Sequence, residues 1–163
     1  MPRWYLKDQQ GRLFPAEVSL MNLKESKLLH SLGWETGFNW TTYISDKSKG
    51  TPFKIIAVGN NNIQGTISFR SVDGFVFVDL LENSPLNRAS ARQRIYVNVV
   101  DVLLGVACLE SFIKGFEGIV SFESKTNLIS YYQERFNSKQ IRNSQKMFID
   151  TRDAAALIAL YYR

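Results

Sequence analysis

One cysteine, one histidine and four prolines are all that this chain of 163 residues holds of those three types. A lone cysteine cannot form an internal disulfide, so a reducing compartment, the cytoplasm, is expected. Cys108 sits among Val, Ala and Leu, without the base or cationic neighbours that activate a thiolate. A small buried hydrophobe describes it better. His30 has no Cys or acidic companion at metal-ligand spacing, which argues against a metal centre and for a surface or boundary position. No Ser–His–Asp grouping, no Walker loop and no zinc pattern is present. Long hydrophobic runs are also missing. The longest, near Val97 to Ile113, is broken by Asn98, Asp101 and Glu110, as in a buried helix and unlike a membrane span. The opening Met1-Pro2-Arg3-Trp4-Tyr5-Leu6-Lys7-Asp8 lacks the apolar stretch of a signal peptide. No repeat, low-complexity tract or linker divides the chain, so residues 1–163 are expected to form one domain.

What is present is an ordinary globular balance: 45% hydrophobic and 21% charged residues, with 13% aromatics to fill a core. The formal net charge is +5. Such an excess attracts nucleic acid, an anionic membrane or a phosphorylated cofactor, or simply solvates a basic face. The denser patch at Arg88, Arg92 and Arg94 fits a cofactor's phosphates or exposed loop arginines equally well.

Hydrophobic spacing predicts an edge strand at Trp4 to Leu6 and a strand at Glu17 to Met21, then a helix over Leu23 to Leu32 closed by Gly33. Gly37 to Thr51 is irregular, with a short helix opening at Phe38-Asn39-Trp40 and a polar loop from Ser45 to Gly50. Strands are expected at Phe53 to Val58 and at Ile63 to Phe69. The second leads through an Asp73-Gly74 turn into Phe75 to Leu81. That last strand is apolar on both faces apart from Asp79, as befits a central, doubly covered strand. The apolar helix to Lys114-Gly115 follows, then a strand at Gly118 to Glu123 and a helix at Asn127 to Phe136. A strand at Lys146 to Asp150 and a helix to Tyr161, capped by Asp150 or Thr151, close the chain. Antiparallel strands followed by a strand–helix–strand crossover make an α/β (α+β) fold with a mixed, mostly antiparallel sheet.

Phe38-Asn39-Trp40, Ile63-Gln64-Gly65 and Val78 through Glu82 to Pro85 and Asn87 resemble a small bacterial branch of the GNAT N-acetyltransferase superfamily. So do Gly115 through Phe122, Lys125 through Ile129, Tyr132, and Met147 through Asp150. The resemblance spans roughly residues 35 to 162. It implies a sheet splayed after Phe75 to Leu81 to admit acetyl-CoA, and an amine acceptor. It places Glu82 as base and Tyr132 as the acid for the leaving thiolate, with Tyr131 a less favoured neighbour. Both tyrosines also fit core packing on an amphipathic helix, and Glu82 also fits a polar strand end. Acetyl-CoA contacts are implied at Leu80, Leu81, Arg88, Arg92, Arg94, Asn98, Val99, Val100, Asp101 and Asn127. Trp34, Phe38 and Trp40 are implied on the acceptor side.

The cofactor loop departs from the family pattern. Asn98, Val100 and Asp101 stand where glycines are usual. Val100 resists conformations that glycine permits. Asp101 sets a carboxylate where phosphate would compete for the same donors. Asn98 and Asp101 are spaced as a capping box that would satisfy the helix terminus without a ligand. Three functions follow: an acyl-CoA-dependent N-acyltransferase, a GNAT-like protein-interaction module that has lost acetyl-CoA, and, resting on net charge alone, a nucleic-acid-associated protein. The partner is thus an amine substrate or another protein, with oligomerisation left open and no membrane.

Overall fold

A computed structural model describes residues 2–35 and 37–163. Eight strands form one sheet. They are β1 (Trp4–Lys7), β2 (Leu13–Leu20), β3 (Thr51–Ala57), β4 (Gly65–Val72), β5 (Phe75–Asn83), β6 (Val120–Glu123), β7 (Lys139–Gln140) and β8 (Lys146–Ile149). Their order is β1-β2-β3-β4-β5-β6-β8-β7. Among the described residues only β5 and β6 pair in parallel, because a crossover helix separates them. The other neighbours are antiparallel. This is the mixed, mostly antiparallel sheet expected from the order of elements.

Most elements differ from the sequence expectation by a few residues at their ends, and two differences are larger. β2 begins at Leu13 and not at Glu17, because it continues the hairpin from β1. Asp8 holds that turn through the backbone N–H groups of Gln10 and Arg12, an Asx arrangement that hydrophobic spacing does not register. β7 was not anticipated. Two residues are too few to show a period, and tertiary pairing with β8 alone defines it.

The helices are α1 (Leu23–Ser31), α2 (Trp40–Ser45), α3 (Val99–Ile113), α4 (Ile129–Phe136) and α5 (Thr151–Tyr161). Asn22 and Glu25 form a capping box on α1, Asn39 caps α2, and Asp150 caps α5 through the N–H of Asp153. α3 is apolar around much of its circumference because it packs between the sheet and α5. Val102, Leu103, Leu104, Ala107 and Cys108 are all inaccessible or nearly so. Each large aliphatic among them contributes about 1.5–3 kcal/mol on burial. This main core lies under α3 and α5. A smaller cluster of Met21, Leu29, Trp34 and Trp40 lies under α1 and α2 on the opposite face. No helix among the described residues is long and apolar enough to cross a membrane.

Candidate active site

The sheet stops being continuous at one point. β5 and β6 pair from Val76↔Val120 to Val78↔Phe122 and no further, although β5 runs on to Asn83. Beyond Val78 the β5 edge facing β6 is open. On its other edge, Ser68 pairs with Leu80 and Phe69 with Val78, which leaves Asp79 as a bulge. A bulge bends its strand and raises the local twist, and this one sits at the vertex of the opening. The result is a cleft of about 540 Å³. Leu80, Leu81, Glu82, Arg88, Phe38 and Tyr132 all line it, together with Asp79, Glu35, Glu123, Ser124 and Lys125.

Glu82 and Tyr132 thus face one cleft, but Glu82 is heavily engaged. Its side chain is 3% exposed. Oε2 accepts the backbone N–H of Glu35 at 2.7 Å and the Arg88 guanidinium at 3.1 Å, and Oε1 accepts the Trp40 indole N–H at 2.9 Å. This differs from a carboxylate free to take a proton. The arrangement fastens the segment between α1 and α2 to the end of β5. Arg88 is therefore an ion-pair partner of Glu82, while Arg94 bonds the carbonyl of Asn87 and Arg92 is exposed. The three arginines do not converge on one point.

The acceptor-side expectation also changes. Trp34 and Trp40 are 3% and 1% exposed and belong to the smaller core. Only Phe38 of the three lines the cleft. Tryptophan supplies too much apolar surface to leave wet when a core is adjacent. Tyr132 packs on Phe122, with ring centroids 4.8 Å apart. Burial, and then Tyr131, push its phenol above the usual range, so it stays protonated near neutrality. Tyr131 lies in a separate surface depression with Asp101, Arg135, Glu134, Lys7 and Tyr161. Asn127 is exposed and is not among the residues that line the cleft.

The N-terminus of α3 corrects the capping-box expectation. Asn98 occupies the cap position but makes no side-chain cap bond. It is wholly buried and turned to β1, where Oδ1 accepts the N–H of Lys7 at 2.7 Å and Nδ2 donates to Tyr5 O at 3.1 Å. Val97 N–H donates to Lys7 O as well. Asp101 is ion-paired with Arg135 of α4, with N–O distances of 2.9 and 3.0 Å. Val99 is buried against the core. Val100 occupies an ordinary helical position, so glycine's conformational freedom is not needed there and only its bulk matters. Asn98, Val99 and Asp101 are therefore turned inward or paired, away from the cleft.

Three features escaped the sequence reading. Asn87, wholly buried, ties the loop after β5 together through Gln64 and the N–H of Tyr96. Arg135 neutralises Asp101. Asp79 stands at the vertex; its signal was visible as the single charge in an apolar strand. Desolvation raises the carboxyl of Asp79 above its ordinary range, against the lowering effect of Arg70 and Lys49. Cys108 and His30 take no part. Burial pushes the Cys108 thiol up to about 12, and His30 is an exposed partner of Phe38 O. No cluster of potential metal ligands occurs among the described residues.

No protein-family model matches the sequence, and no curated protein does either. Solved structures do match in fold. A KacT mutant aligns with a TM-score of 0.55 at 12% identity, over 87% of this chain and 98% of its own. AtaTR bound with acetyl-CoA gives 0.56 at 8% identity, over 88% and 98%. The aminoglycoside acetyltransferase AAC(6')-Ib in complex with coenzyme A and kanamycin gives 0.56 at 9%, over 86% and 98%. The chain has the fold of the GNAT acetyltransferases.

Proposed function

We propose that this protein is an acyl-CoA-dependent N-acyltransferase that acetylates an amine. One observation carries the reading: the open β5 edge, the protonated Tyr132 phenol and several carboxylates share a single cleft. An unpaired strand edge is a ready partner for the amides of an extended chain, so the backbone beside Leu80 and Leu81 fits a pantetheine arm. When bound, acyl-CoA supplies an activated carbonyl carbon and a thiolate leaving group. Tyr132 holds a proton that its hydroxyl can give to that sulfur. Glu82, through Trp40, Glu35 and Arg88, positions the acceptor wall. Phe38 supplies that wall's apolar contact. We place the chain, as one domain, in a bacterial cytoplasm, in keeping with its single buried thiol.

The phosphate end fits less well. Side-chain capping is absent from the first turn of α3, which leaves donors for an anion. Yet Val97 N–H is taken by β1, and the Asp101 carboxylate stands in that same turn. This favours a second reading, a GNAT-like module that has lost acetyl-CoA and acts through protein contacts. Calorimetric titration of acetyl-CoA at moderate ionic strength separates the two. Micromolar or tighter binding supports the enzyme. No heat and no thermal stabilisation support the module.

A further inference from the structure

We propose that the apolar edge formed by α1 and the loop after β5 is a docking site for an acidic amphipathic helix of a protein partner. This surface lies outside the acetyl-transfer reading and does not rest on it.

Four large aliphatic side chains stand in water along the edge. Leu28, Leu32, Leu86 and Ile95 are 50%, 64%, 58% and 43% exposed. Single exposed aliphatics are ordinary on a protein surface, but these four belong to two segments that touch. A Cβ on Gly33, the residue after Leu32, would lie 3.8 Å from the Pro85 ring, and Pro85 precedes Leu86. The Ile95 N–H donates to the Leu86 carbonyl at 3.3 Å, which sets those two residues side by side. On α1, Ser26 and Leu29 face inward. Leu28 and Leu32, which closes the helix, stand one turn apart on its flank, joined by the bond from Leu32 N–H to Leu28 O. A pair spaced i, i+4 is the ridge that fits the groove of a second helix.

The rim of this edge is cationic. Lys24 and Lys27 of α1 are exposed, and the loop closed by the Leu86–Ile95 bond carries Arg88, Arg92 and Arg94. Across residues 23–35 and 86–95 the only acids are Glu25, which is ion-paired to Lys54, and Glu35, which borders the cleft. Among the described residues Lys24, Lys27, Arg92 and Arg94 have no ion-pair partner. Arg88 and Arg94 each spend one N–H, on Glu82 and on the Asn87 carbonyl, of the five that a guanidinium carries. The N–H groups that remain match a carboxylate in a two-bond fork.

Charge and residue type choose among occupants. A second copy meeting this edge across a twofold axis would set lysines and arginines against their own equivalents, a like-charge contact that costs affinity. A membrane surface is gripped by Trp and Tyr at the headgroup level, and all three tryptophans here are buried. A helix with leucine-like residues on one face and Asp or Glu along its borders satisfies both the ridge and the rim. It would bury the aliphatic centre and pair the surrounding cations, the division between core and rim found in protein interfaces.

The probe is a fluorescein-labelled peptide of about 18 residues, long enough to be helical in water, with leucines at i, i+3, i+4 and i+7 and glutamates on the flanks. Its anisotropy is followed against the full chain at low salt. Native protein should bind it, and more weakly as salt rises. The double variant Leu32→Ser, Leu86→Ser should lose at least about tenfold in affinity. Lys27→Glu with Arg92→Glu should lose a similar factor and should bind instead a peptide with lysine in place of each glutamate. All four positions are exposed, so each variant should keep the native Tm. No binding by native protein, undiminished binding by either variant, or equal binding of the lysine peptide to native protein overturns the proposal. So does a native chain that sediments as a dimer where Leu32→Ser, Leu86→Ser does not, which would make a second copy the occupant. Flotation of native protein with phosphatidylglycerol vesicles, abolished in the same double variant, would make the occupant a membrane and overturn it too. None of these readouts involves acetyl-CoA, so the docking site and the acyltransferase reading fail separately.

Discussion

Replacing Glu82 with Gln tests whether this carboxylate holds the acceptor wall. The substitution keeps the shape but removes the charge and puts an NH2 where one of three donors now points. Hydrogen bonds to charged groups contribute about 1.5–3 kcal/mol, and breaking a fully buried pair costs about 3–5 kcal/mol. Glu82 is buried, but the Arg88 side chain is 35% exposed, so water solvates the stranded cation and the lower range applies. The expected loss is about 2–3 kcal/mol. For a chain of this length, 1 kcal/mol moves Tm by about 2–4 °C, so the midpoint should drop by about 5–10 °C. Trp40→Phe removes the indole donor while keeping an aromatic ring in the smaller core. Because both changes break the same 2.9 Å bond, a double-mutant cycle in urea should show about 1–2 kcal/mol of coupling. A Tm within about 2 °C of native for Glu82→Gln, or coupling below about 0.5 kcal/mol, would refute the positioning role.

Tyr132→Phe keeps the packing on Phe122 and deletes the proton, so turnover should fall by about 100-fold with Tm unchanged; native turnover removes Tyr132 from the chemistry. Asp101→Gly strands Arg135, whose side chain is 39% exposed against 8% for Asp101, and sets a glycine in α3, so stability should fall by about 2–4 kcal/mol. Acetyl-CoA affinity should rise in the same variant; unchanged affinity means that the phosphates do not dock at this turn. Cys108 has a folded pKa near 12, above its unfolded value. Its contribution is therefore complete below about pH 8.5 and is lost as pH climbs toward 12. Urea unfolding from pH 8 to 11 should decline less steeply in Cys108→Ala than in native protein. Equal slopes would show that the thiol is not the titrating group.

Periodicity and turn residues sufficed for most of the fold. The alternation on either side of Asp73-Gly74 gave the hairpin of β4 and β5. The unbroken apolar character of Phe75 to Leu81 gave its central place, and the helix between it and Gly118 to Glu123 required the parallel pair. These are local signals, since burial of one face imposes a pattern on consecutive residues. β7 carried no such signal because its pairing is its only cause.

The site was legible as a neighbourhood and not as a set of contacts. Glu82, Tyr132, Leu80, Leu81 and Arg88 were singled out, and they do line one cleft. Sequence spacing could not show that Glu82 is occupied by Trp40 and by the N–H of Glu35, which lie more than forty positions away. Nor could it show that Asn98 turns to β1, across 91 positions, or that Asp101 meets Arg135 across 34. Asn98 and Asp101 read locally as a capping box because the spacing was right. The packing of β1 and α4 against that helix end offered each side chain a stronger, more buried partner. The sequence determined which segments become strands and helices, because a chain's own periodicity decides which face it can bury. Tertiary structure alone decided which polar groups are spent on one another, because hydrogen bonds between distant segments exist only once the sheet has brought them together.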